Sequence, residues 1–421
     1  MKKMRFSDEA IKANIFKGHF GLEIESLRVD ERGFLAQTKH PFGRDPRISR
    51  DFCENQVEII TGVGDSPDDV LRELTEIQRF VAGELLRLPS GPEYLWPFSN
   101  PPFVKGEDDI PIAHFGGDQK EKDAYRRYLA GKYGKMLMLF SGIHFNYSFS
   151  DSFLTEGWKQ SGMSSFRAYK DRLYLDLAGK LTQYSWLIVY LTAASSVCDD
   201  SFLEYETIGK KYASPRCSEI GYWNDFVPVF DYASLDRYVD GIKTYVAEGK
   251  LISAAELYYP IRLKPRGEND LNCLRANGVD HIELRMLDLN PLSKIGIYES
   301  DFNFLQLLIL FLVSSQREDF PENEQITAVE NMKKAAEYDV SSIVENGAEK
   351  DIKTAALNII DDMRCFYGAL SADDLVRKTL AVQREKVLSE EKRYAVTVRK
   401  RFGGDYLEKG LSLSKERSKM I

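Results

Sequence analysis

The stretch Leu22-Glu23-Ile24-Glu25 alternates strictly between apolar and acidic residues, and this alternation decides the fold that the sequence predicts. Two later stretches repeat it with other polar residues, Ile143-His144-Phe145-Asn146 and Ile282-Glu283-Leu284-Arg285-Met286. A β-strand directs successive side chains to opposite faces, so the polar residues of each stretch share one face. In an ordinary half-exposed strand that face is simply solvated. Here it carries Glu, His, Asn and Arg in three separate strands, which favours the sheet of an active site.

A fourth stretch, residues 48–61, adds carboxylates to this sheet, because Asp51 and Glu58 flank an almost uncharged run. Crowded carboxylates repel one another and raise each other's pKa values unless a cation lies among them. Oxygen ligands suit Mg²⁺ or Mn²⁺, whereas a single imidazole and the absence of paired cysteines disfavour zinc. An arginine beside such a site, here Arg285, indicates a ligand that carries phosphate.

Composition narrows the possible partners. The chain has 421 residues and a formal net charge of -8, with its charges scattered rather than grouped. This pattern gives no electrostatic footprint for nucleic acid or an anionic membrane, so we expect neither as a partner, and the oligomeric state stays open. The first fourteen residues lack the apolar core of a signal peptide, and the apolar run near residues 304–313 is too short to span a bilayer. The five cysteines never form CxxC, which fits reduced thiols and a cytoplasmic protein.

The organisation of the chain predicts one catalytic domain over residues 1–421, because no internal repeat and no linker rich in proline, glycine or serine divides it. The predicted fold class is α+β, with a sheet flanked by helices. We expect a sheet-rich core at about residues 1–300 and a mostly helical part at about residues 301–421.

Three elements around the predicted sheet have clear signals. A helix is predicted to begin at Ser66, whose side chain can cap it, with Pro67 in the first turn and apolar residues at helical spacing up to Val81. Residues 120–135 also read as a helix, and residues 143–149 read as a strand.

Longer motifs surround these strands and occur in a specific order. They are Gly21 to Val29 (GLEIESLRV), Thr38 to Pro41 (TKHP), Asp51 to Thr61, Trp96-Pro97 with Ser99, Tyr133-Gly134, Ser141 to Asn146 (SGIHFN), Arg216 to Tyr222 (RCSEIGY), Glu256 to Arg262 (ELYYPIR) and Glu283 to Pro291 (ELRMLDLNP). Together they resemble the glutamate-cysteine ligase family, among the glutamine-synthetase-like carboxylate-amine ligases. The resemblance covers roughly residues 15–300 and is similar to the ligase half of fused bacterial enzymes that also make glutathione. No ATP-grasp module follows, so we expect ligation alone.

The resemblance implies a curved antiparallel sheet that forms a funnel and binds small-molecule substrates, with ATP at one end and amino acids at the other. The implied metal ligands match the set found from the strand pattern and are Glu23, Glu25, Asp51, Glu58, His144 and Glu283. The resemblance implies that Arg285 contacts the transferring phosphate and acts in catalysis with Glu25 and Glu283, while Asn146 and Arg285 contact the nucleotide. The implied pocket for the incoming cysteine is formed by Phe52, Tyr125, Leu129, Arg216, Tyr222 and Tyr258.

The implied reaction has two steps: ATP phosphorylates the side-chain carboxylate of glutamate, and the amine of cysteine then attacks the acyl phosphate. Magnesium ions supply the positive charge that the transferring phosphoryl group needs, so no nucleophilic serine or cysteine is required.

Two residues in the predicted approach to His144 depart from the family pattern. By alternation, Met138 and Phe140 share the face of His144 and Asn146, and we assign Met138, Phe140 and Asn146 to the substrate pocket. The family has glutamine where Met138 stands, and a thioether cannot make an amide's hydrogen bonds. Two alternatives follow: ligation of a different acid or amine in a specialised pathway, or simple core packing of Met138. The segment Cys198-Asp199-Asp200 also departs from the usual small residue and proline.

Two further hypotheses belong to other classes of function. A degenerate relative would bind nucleotide or a partner protein without turnover, although the intact ligand set argues against this. A guanidino or amine kinase would use similar metal clamps and would release a stable phosphorylated product.

Overall fold

The computed structural model describes residue 2 and residues 4–204, 206–315 and 319–420. Its strands are β1 (Gly18–Val29), β2 (Ile48–Arg50), β3 (Gln56–Ile60), β4 (Tyr94–Leu95), β5 (Gly142–Phe149), β6 (Ile261–Lys264), β7 (His281–Asp288), β8 (Ser342–Glu345) and β9 (Ala348–Asp351). Its helices are α1 (Glu9–Lys12), α2 (Pro67–Leu86), α3 (Lys120–Tyr133), α4 (Asp151–Ser161), α5 (Phe166–Gln183), α6 (Ser185–Thr192), α7 (Leu235–Ala247), α8 (Leu271–Asn277), α9 (Glu299–Ser314), α10 (Glu322–Ala335), α11 (Ile352–Ala369), α12 (Asp374–Leu388), α13 (Tyr394–Phe402) and α14 (Tyr406–Met420).

The central feature is one antiparallel sheet, to which the described residues contribute seven strands in the order β2, β3, β1, β5, β7, β6, with β4 paired to the end of β1. The three alternating stretches of the sequence are β1, β5 and β7, which are direct neighbours in this order. Helices α2, α5 and α6 pack against the sheet. The predicted α+β class, an antiparallel sheet flanked by helices, is therefore confirmed.

The alternation of β1 separates an apolar face from a polar one. Leu22 and Ile24 are only 1% and 2% exposed and belong to the main core, together with apolar residues of α2, α5 and α9. Helix α2 begins where the sequence predicts, because the Ser66 hydroxyl accepts a hydrogen bond from the Asp69 backbone N–H at 3.2 Å. Its apolar stripe packs on β1 and β3. Burying this face of the sheet leaves the opposite face for polar chemistry.

The segment between α3 and β5 does not have the alternation predicted for Met138 and Phe140. Residues 137–139 form a 3₁₀ turn, and β5 begins only at Gly142. A 3₁₀ turn rotates successive side chains by about 120° instead of alternating them, so Met138 and Phe140 do not share a face. Phe140 packs edge-to-face on Phe202, with ring centroids 5.1 Å apart, whereas Met138 joins a cluster that contains Phe52. The predicted shared face is therefore wrong.

The C-terminal region combines α9 to α14 with a hairpin, β8–β9, which the sequence pattern did not predict. Helix α14 returns to the N-terminal part of the chain and contacts α2 and β4. At its start, the Tyr406 hydroxyl donates to the Asn100 carbonyl oxygen at 2.8 Å, and its ring packs edge-to-face on Trp96. The division of residues 1–421 into parts stays a prediction. Among the described residues, no helix is both long and apolar enough to cross a membrane.

Candidate active site

Strand register brings the polar side chains of four strands to one place on the sheet. Glu23 of β1 lies opposite His144 of β5, and Glu25 lies opposite Glu58 of β3. These strands border a cavity of about 270 Å³. The predicted site residues that line it are Glu23, Glu25, Asp51, Phe52, Glu58, Tyr125, Leu129, Met138, His144, Tyr222, Tyr258, Glu283 and Arg285. All six predicted metal ligands thus reach the same cavity.

The tightest cluster consists of Glu23, His144 and Glu283, whose ligand atoms all lie within 4.8 Å of one another. His144 Nδ1 is 3.0 Å from Glu23 Oε2 and 3.6 Å from Glu283 Oε1, and His144 Nε2 is 3.6 Å from Glu25 Oε1. His144 Nε2 and Glu283 Oε2 are buried and make no hydrogen bond with the described residues. Buried polar atoms are normally hydrogen-bonded. Here His144 Nε2 has only an ionic contact with Glu25 Oε1 at 3.6 Å, and Glu283 Oε2 has one with Lys264 Nζ at 3.4 Å, so both atoms can still accept a further ligand. A set of carboxylates with one imidazole and unused donor atoms fits a hard divalent cation.

The carboxylates of this cluster experience opposing influences. Burial, with repulsion from Asp51, holds the pKa of Glu58 well above its ordinary value, and the same two causes raise the pKa of Glu25 despite attraction from His144. Burial also acts to raise the pKa of Glu283, but Arg285 and other nearby cations outweigh it and lower that pKa. A bound cation would relieve the repulsion around Glu25 and Glu58.

Basic side chains border the carboxylates on one side. Arg285 Nη1 donates to Glu283 Oε1 at 3.0 Å, and Lys264 Nζ lies 3.4 Å from Glu283 Oε2. Arg262 of β6 also lines the cavity. We did not predict roles for Arg262 and Lys264 from the sequence, although Ile261-Arg262-Leu263-Lys264 shows the same alternation as the other strands. Arg126 and Asn269 line the cavity as well, and they lie outside any such pattern.

An aromatic wall closes another side of the cavity. The rings of Tyr222 and Tyr258 meet edge-to-face with centroids 4.9 Å apart, and Tyr125 lines the same cavity. Burial is the main reason why the pKa values of Tyr125 and Tyr222 rise to about 12, so both hydroxyls stay protonated at neutral pH. Phe52 and Leu129 complete this wall. It offers apolar surface with a few hydroxyl donors, which suits a small amino acid side chain.

Three predicted residues do not line the cavity. Phe140 is turned away, as described above. Arg216 is buried behind β7, where it donates to the carbonyl oxygens of Leu287 at 3.0 Å and Arg285 at 2.9 Å. Asn146 donates to Glu23 Oε1 at 3.1 Å, so it orients that carboxylate. In this arrangement Arg216 and Asn146 support the residues that face the cavity.

Comparison with known proteins supports one family. The family model described as "Glutamate-cysteine ligase" matches residues 4–251 and 246–335. A glutamate–cysteine ligase from Clostridium acetobutylicum is 34% identical over 372 residues, which covers 76% of each chain. A glutathione biosynthesis bifunctional protein from Listeria welshimeri is 36% identical over 413 residues, covering 93% of this chain and 53% of the relative.

Two solved structures share the fold. A bifunctional glutathione synthetase from Pasteurella multocida superimposes with a TM-score of 0.85 at 26% identity, covering 98% of this chain and 54% of that one. A glutamate–cysteine ligase from Francisella tularensis, in complex with AMP, gives a TM-score of 0.86 at 23% identity, covering 96% and 89%. The chain spans about half the length of the Listeria relatives that it matches.

Proposed function

Because the chain belongs to the glutamate-cysteine ligase family, we propose that it joins L-glutamate to L-cysteine, using ATP and Mg²⁺, to form γ-glutamylcysteine. The observation that carries this proposal is the composition of the cavity. A carboxylate and imidazole cluster with adjacent cations occupies one side, and a wall of tyrosines occupies another. The first side suits phosphoryl transfer, and the second suits an amino acid.

In the first step, an oxygen of the glutamate γ-carboxylate attacks the γ-phosphorus of ATP. The bond from that phosphorus to the bridging oxygen breaks, and ADP leaves. Arg285, whose guanidinium lies beside Glu283, can bridge two oxygens of the moving phosphoryl group. Lys264, whose ammonium group lies 3.4 Å from Glu283, adds positive charge for the triphosphate.

Glu23, Glu25, His144 and Glu283 would hold the metal, and Asp51 and Glu58 would complete the set. When bound, Mg²⁺ neutralises phosphate oxygens and compensates the crowded carboxylates. Asn146 and Arg285 serve this side of the site by orienting Glu23 and Glu283, because each donates a hydrogen bond to one of these carboxylates.

In the second step, the amine of cysteine attacks the acyl carbon. A C–N bond forms, phosphate leaves with its electron pair, and the nitrogen loses a proton to solvent or phosphate. The tyrosine wall, with Phe52 and Leu129, binds the cysteine and excludes water that would hydrolyse the acyl phosphate. We also propose that the chain acts as one catalytic unit in the cytoplasm, which fits five cysteines without a disulfide in the described residues.

Product analysis tests this proposal. Purified protein is incubated with ATP, Mg²⁺, glutamate and cysteine, and the products are measured by mass spectrometry. We expect γ-glutamylcysteine, ADP and phosphate in equal amounts. ADP formation that does not depend on an amine, or a complete lack of ADP with every amine tried, contradicts the proposal.

A different acid is the second candidate, and Met138 favours it. The thioether lies in the cavity wall and offers no strong hydrogen bond to an amino acid donor. A panel of carboxylic acids with cysteine held constant separates the two candidates. If glutamate is the only acid of the panel that is ligated to cysteine, the second candidate is excluded.

A further inference from the structure

Glu256 is a fully buried carboxylate beside the cavity, with 0% of its surface exposed. Its neighbours along the chain, Ala255 and Tyr258, line the cavity wall. A buried carboxylate is unfavourable unless hydrogen bonds or a cation compensate it. Its partners therefore indicate what it holds together.

Those partners come mainly from the last two turns of α3. Glu256 Oε1 accepts hydrogen bonds from Lys132 Nζ at 2.6 Å and from the Tyr133 hydroxyl at 2.7 Å. Glu256 Oε2 accepts one from the Ile252 backbone N–H at 2.6 Å and lies 3.3 Å from the Tyr128 hydroxyl. Burial opposes the charge, but the hydrogen bond from Lys132 and its other partners lower the pKa of Glu256 below its ordinary value.

The same helix also supplies part of the pocket wall. Tyr125 and Leu129 are four residues apart and line the cavity. Tyr128 and Lys132 follow them by three residues each, so they lie beside them on the helix surface, and both contact Glu256. A helix of this length moves as one rigid body. The contacts that hold Lys132 and Tyr128 in place therefore also hold Tyr125 and Leu129 in place.

The segment that carries Tyr258 is held at the same point. Asn224 donates to the Glu256 carbonyl oxygen at 2.8 Å and accepts from the Tyr258 backbone N–H at 2.9 Å. The ring of Tyr258 packs between Tyr133 and Tyr222, with centroids 5.4 Å and 4.9 Å away. Glu256 thus joins the two halves of the tyrosine wall.

We propose that Glu256 is a positioning residue that sets the pocket for the amine substrate by tying α3 to the Tyr258 segment. This inference rests on the proposed function, and it assigns a role that is separate from phosphoryl transfer. Loss of the tie loosens the pocket for cysteine but leaves the carboxylate cluster on the sheet intact. Binding of the amine is therefore affected, and formation of the acyl phosphate is not.

Glu256→Gln tests the inference because it keeps the size of the side chain and removes its charge. One carboxylate oxygen becomes an NH₂ group, which cannot accept from its donors, and Lys132 loses its counter-ion. We expect the KM for cysteine to rise by about tenfold or more, since hydrogen bonds to charged groups are strong. The KM values for glutamate and ATP should stay within about twofold of the wild type.

A second acceptor separates positioning from a general loss of structure. Hydroxylamine traps the acyl phosphate as a hydroxamate and has no side chain to place in the pocket. Hydroxamate formation at saturating hydroxylamine should be unchanged in Glu256→Gln. Glu248→Gln is the matched control, because Glu248 is 49% exposed and pairs with Lys250, and it should behave as the wild type. An unchanged KM for cysteine, or equal losses with both acceptors, overturns the inference.

Two further outcomes are also decisive. If Glu256→Gln does not fold, Tyr133→Phe is the second variant: it removes the hydrogen bond to Glu256 and the one that Tyr133 accepts from Asn224. A raised KM for cysteine alone is again required. If the wild type forms no amide at all, the proposed function fails. Hydrogen exchange then tests separately whether Glu256 holds α3 in place. Faster amide exchange in α3 of Glu256→Gln supports it, and unchanged exchange refutes it.

Discussion

Replacing Glu283 with glutamine removes one negative charge from the carboxylate cluster while keeping the size of the side chain. Its carboxylate is fully buried, 3.0 Å from Arg285, 3.4 Å from Lys264 and 3.6 Å from His144. Contacts between charged groups, such as the Arg285 hydrogen bond and the Lys264 ion pair, contribute about 1.5–3 kcal/mol each, so losing both affects the loaded site by about 3–6 kcal/mol. With about 1.4 kcal/mol for each factor of ten, turnover should fall by about 100-fold or more. The unfolding free energy should fall less, because the change also relieves repulsion among carboxylates.

The assay is kcat/KM for ligation measured from limiting to saturating Mg²⁺, with urea unfolding of the same samples. Asp301→Asn is the matched control. This carboxylate is also buried, lies 2.5 Å from Lys386 Nζ and accepts from the Tyr394 hydroxyl at 2.8 Å, but it does not line the cavity. The control should lose stability and keep its kcat/KM. A folded Glu283→Gln protein whose kcat/KM stays within about threefold of the wild type at every Mg²⁺ concentration refutes the assignment of Glu283 as a ligand.

Three other predictions concern the pocket, the pH dependence and the packing. Met138→Gln should lower the KM for glutamate by about threefold or more in steady-state assays and leave that for cysteine unchanged; an unchanged KM for glutamate means that Met138 only packs. Burial, with nearby Arg50, lowers the pKa of His40 from 6.5 to about 4, so the unfolded chain takes up its proton first. As the pH falls from 6.5 to 4 the unfolding free energy should drop by about 1 kcal/mol, allowing for partial exposure, and urea titrations of His40→Gln should lack this contribution. Gly410→Ala should lower the unfolding free energy by about 1–3 kcal/mol, because an added Cβ would lie 2.2 Å from the Trp96 ring. Gly368→Ala, on the exposed side of α11, is the control and should raise the unfolding free energy slightly. Equal changes in the melting temperature of the two variants contradict this prediction.

The carboxylate cluster could be predicted from the sequence because a strand has a fixed period of two. That period places Glu23 and Glu25 on one face whatever surrounds them, and antiparallel pairing then brings His144 opposite Glu23. The helix that begins after Ser66 could also be predicted, because its cap and its apolar spacing lie within one segment. Features that depend on a single helix or strand could therefore be predicted from the sequence.

The remaining features depend on contacts between distant segments. The turn at residues 137–139 breaks the alternation predicted for Met138 and Phe140, because the chain bends there before it enters β5. The hairpin β8–β9 lies in a region whose composition favours helices. Glu256 gave no signal of its role, since its partners Lys132 and Tyr133 are more than 120 residues away in sequence. Contacts of this kind are identified only from the three-dimensional structure, in which α3 and the Tyr258 segment are adjacent.

The most direct test of an acyl phosphate uses glutamate labelled with ¹⁸O in its γ-carboxylate. The attacking carboxylate oxygen stays on phosphorus when the amine displaces phosphate, so ligation through this intermediate places one ¹⁸O atom in each phosphate released. Mass spectrometry of the phosphate, with the γ-glutamyl amide measured alongside, reads this directly. One labelled oxygen per phosphate is the predicted result. Unlabelled phosphate, or a stable phosphorylated product in place of free phosphate, contradicts carboxylate-amine ligation at this site.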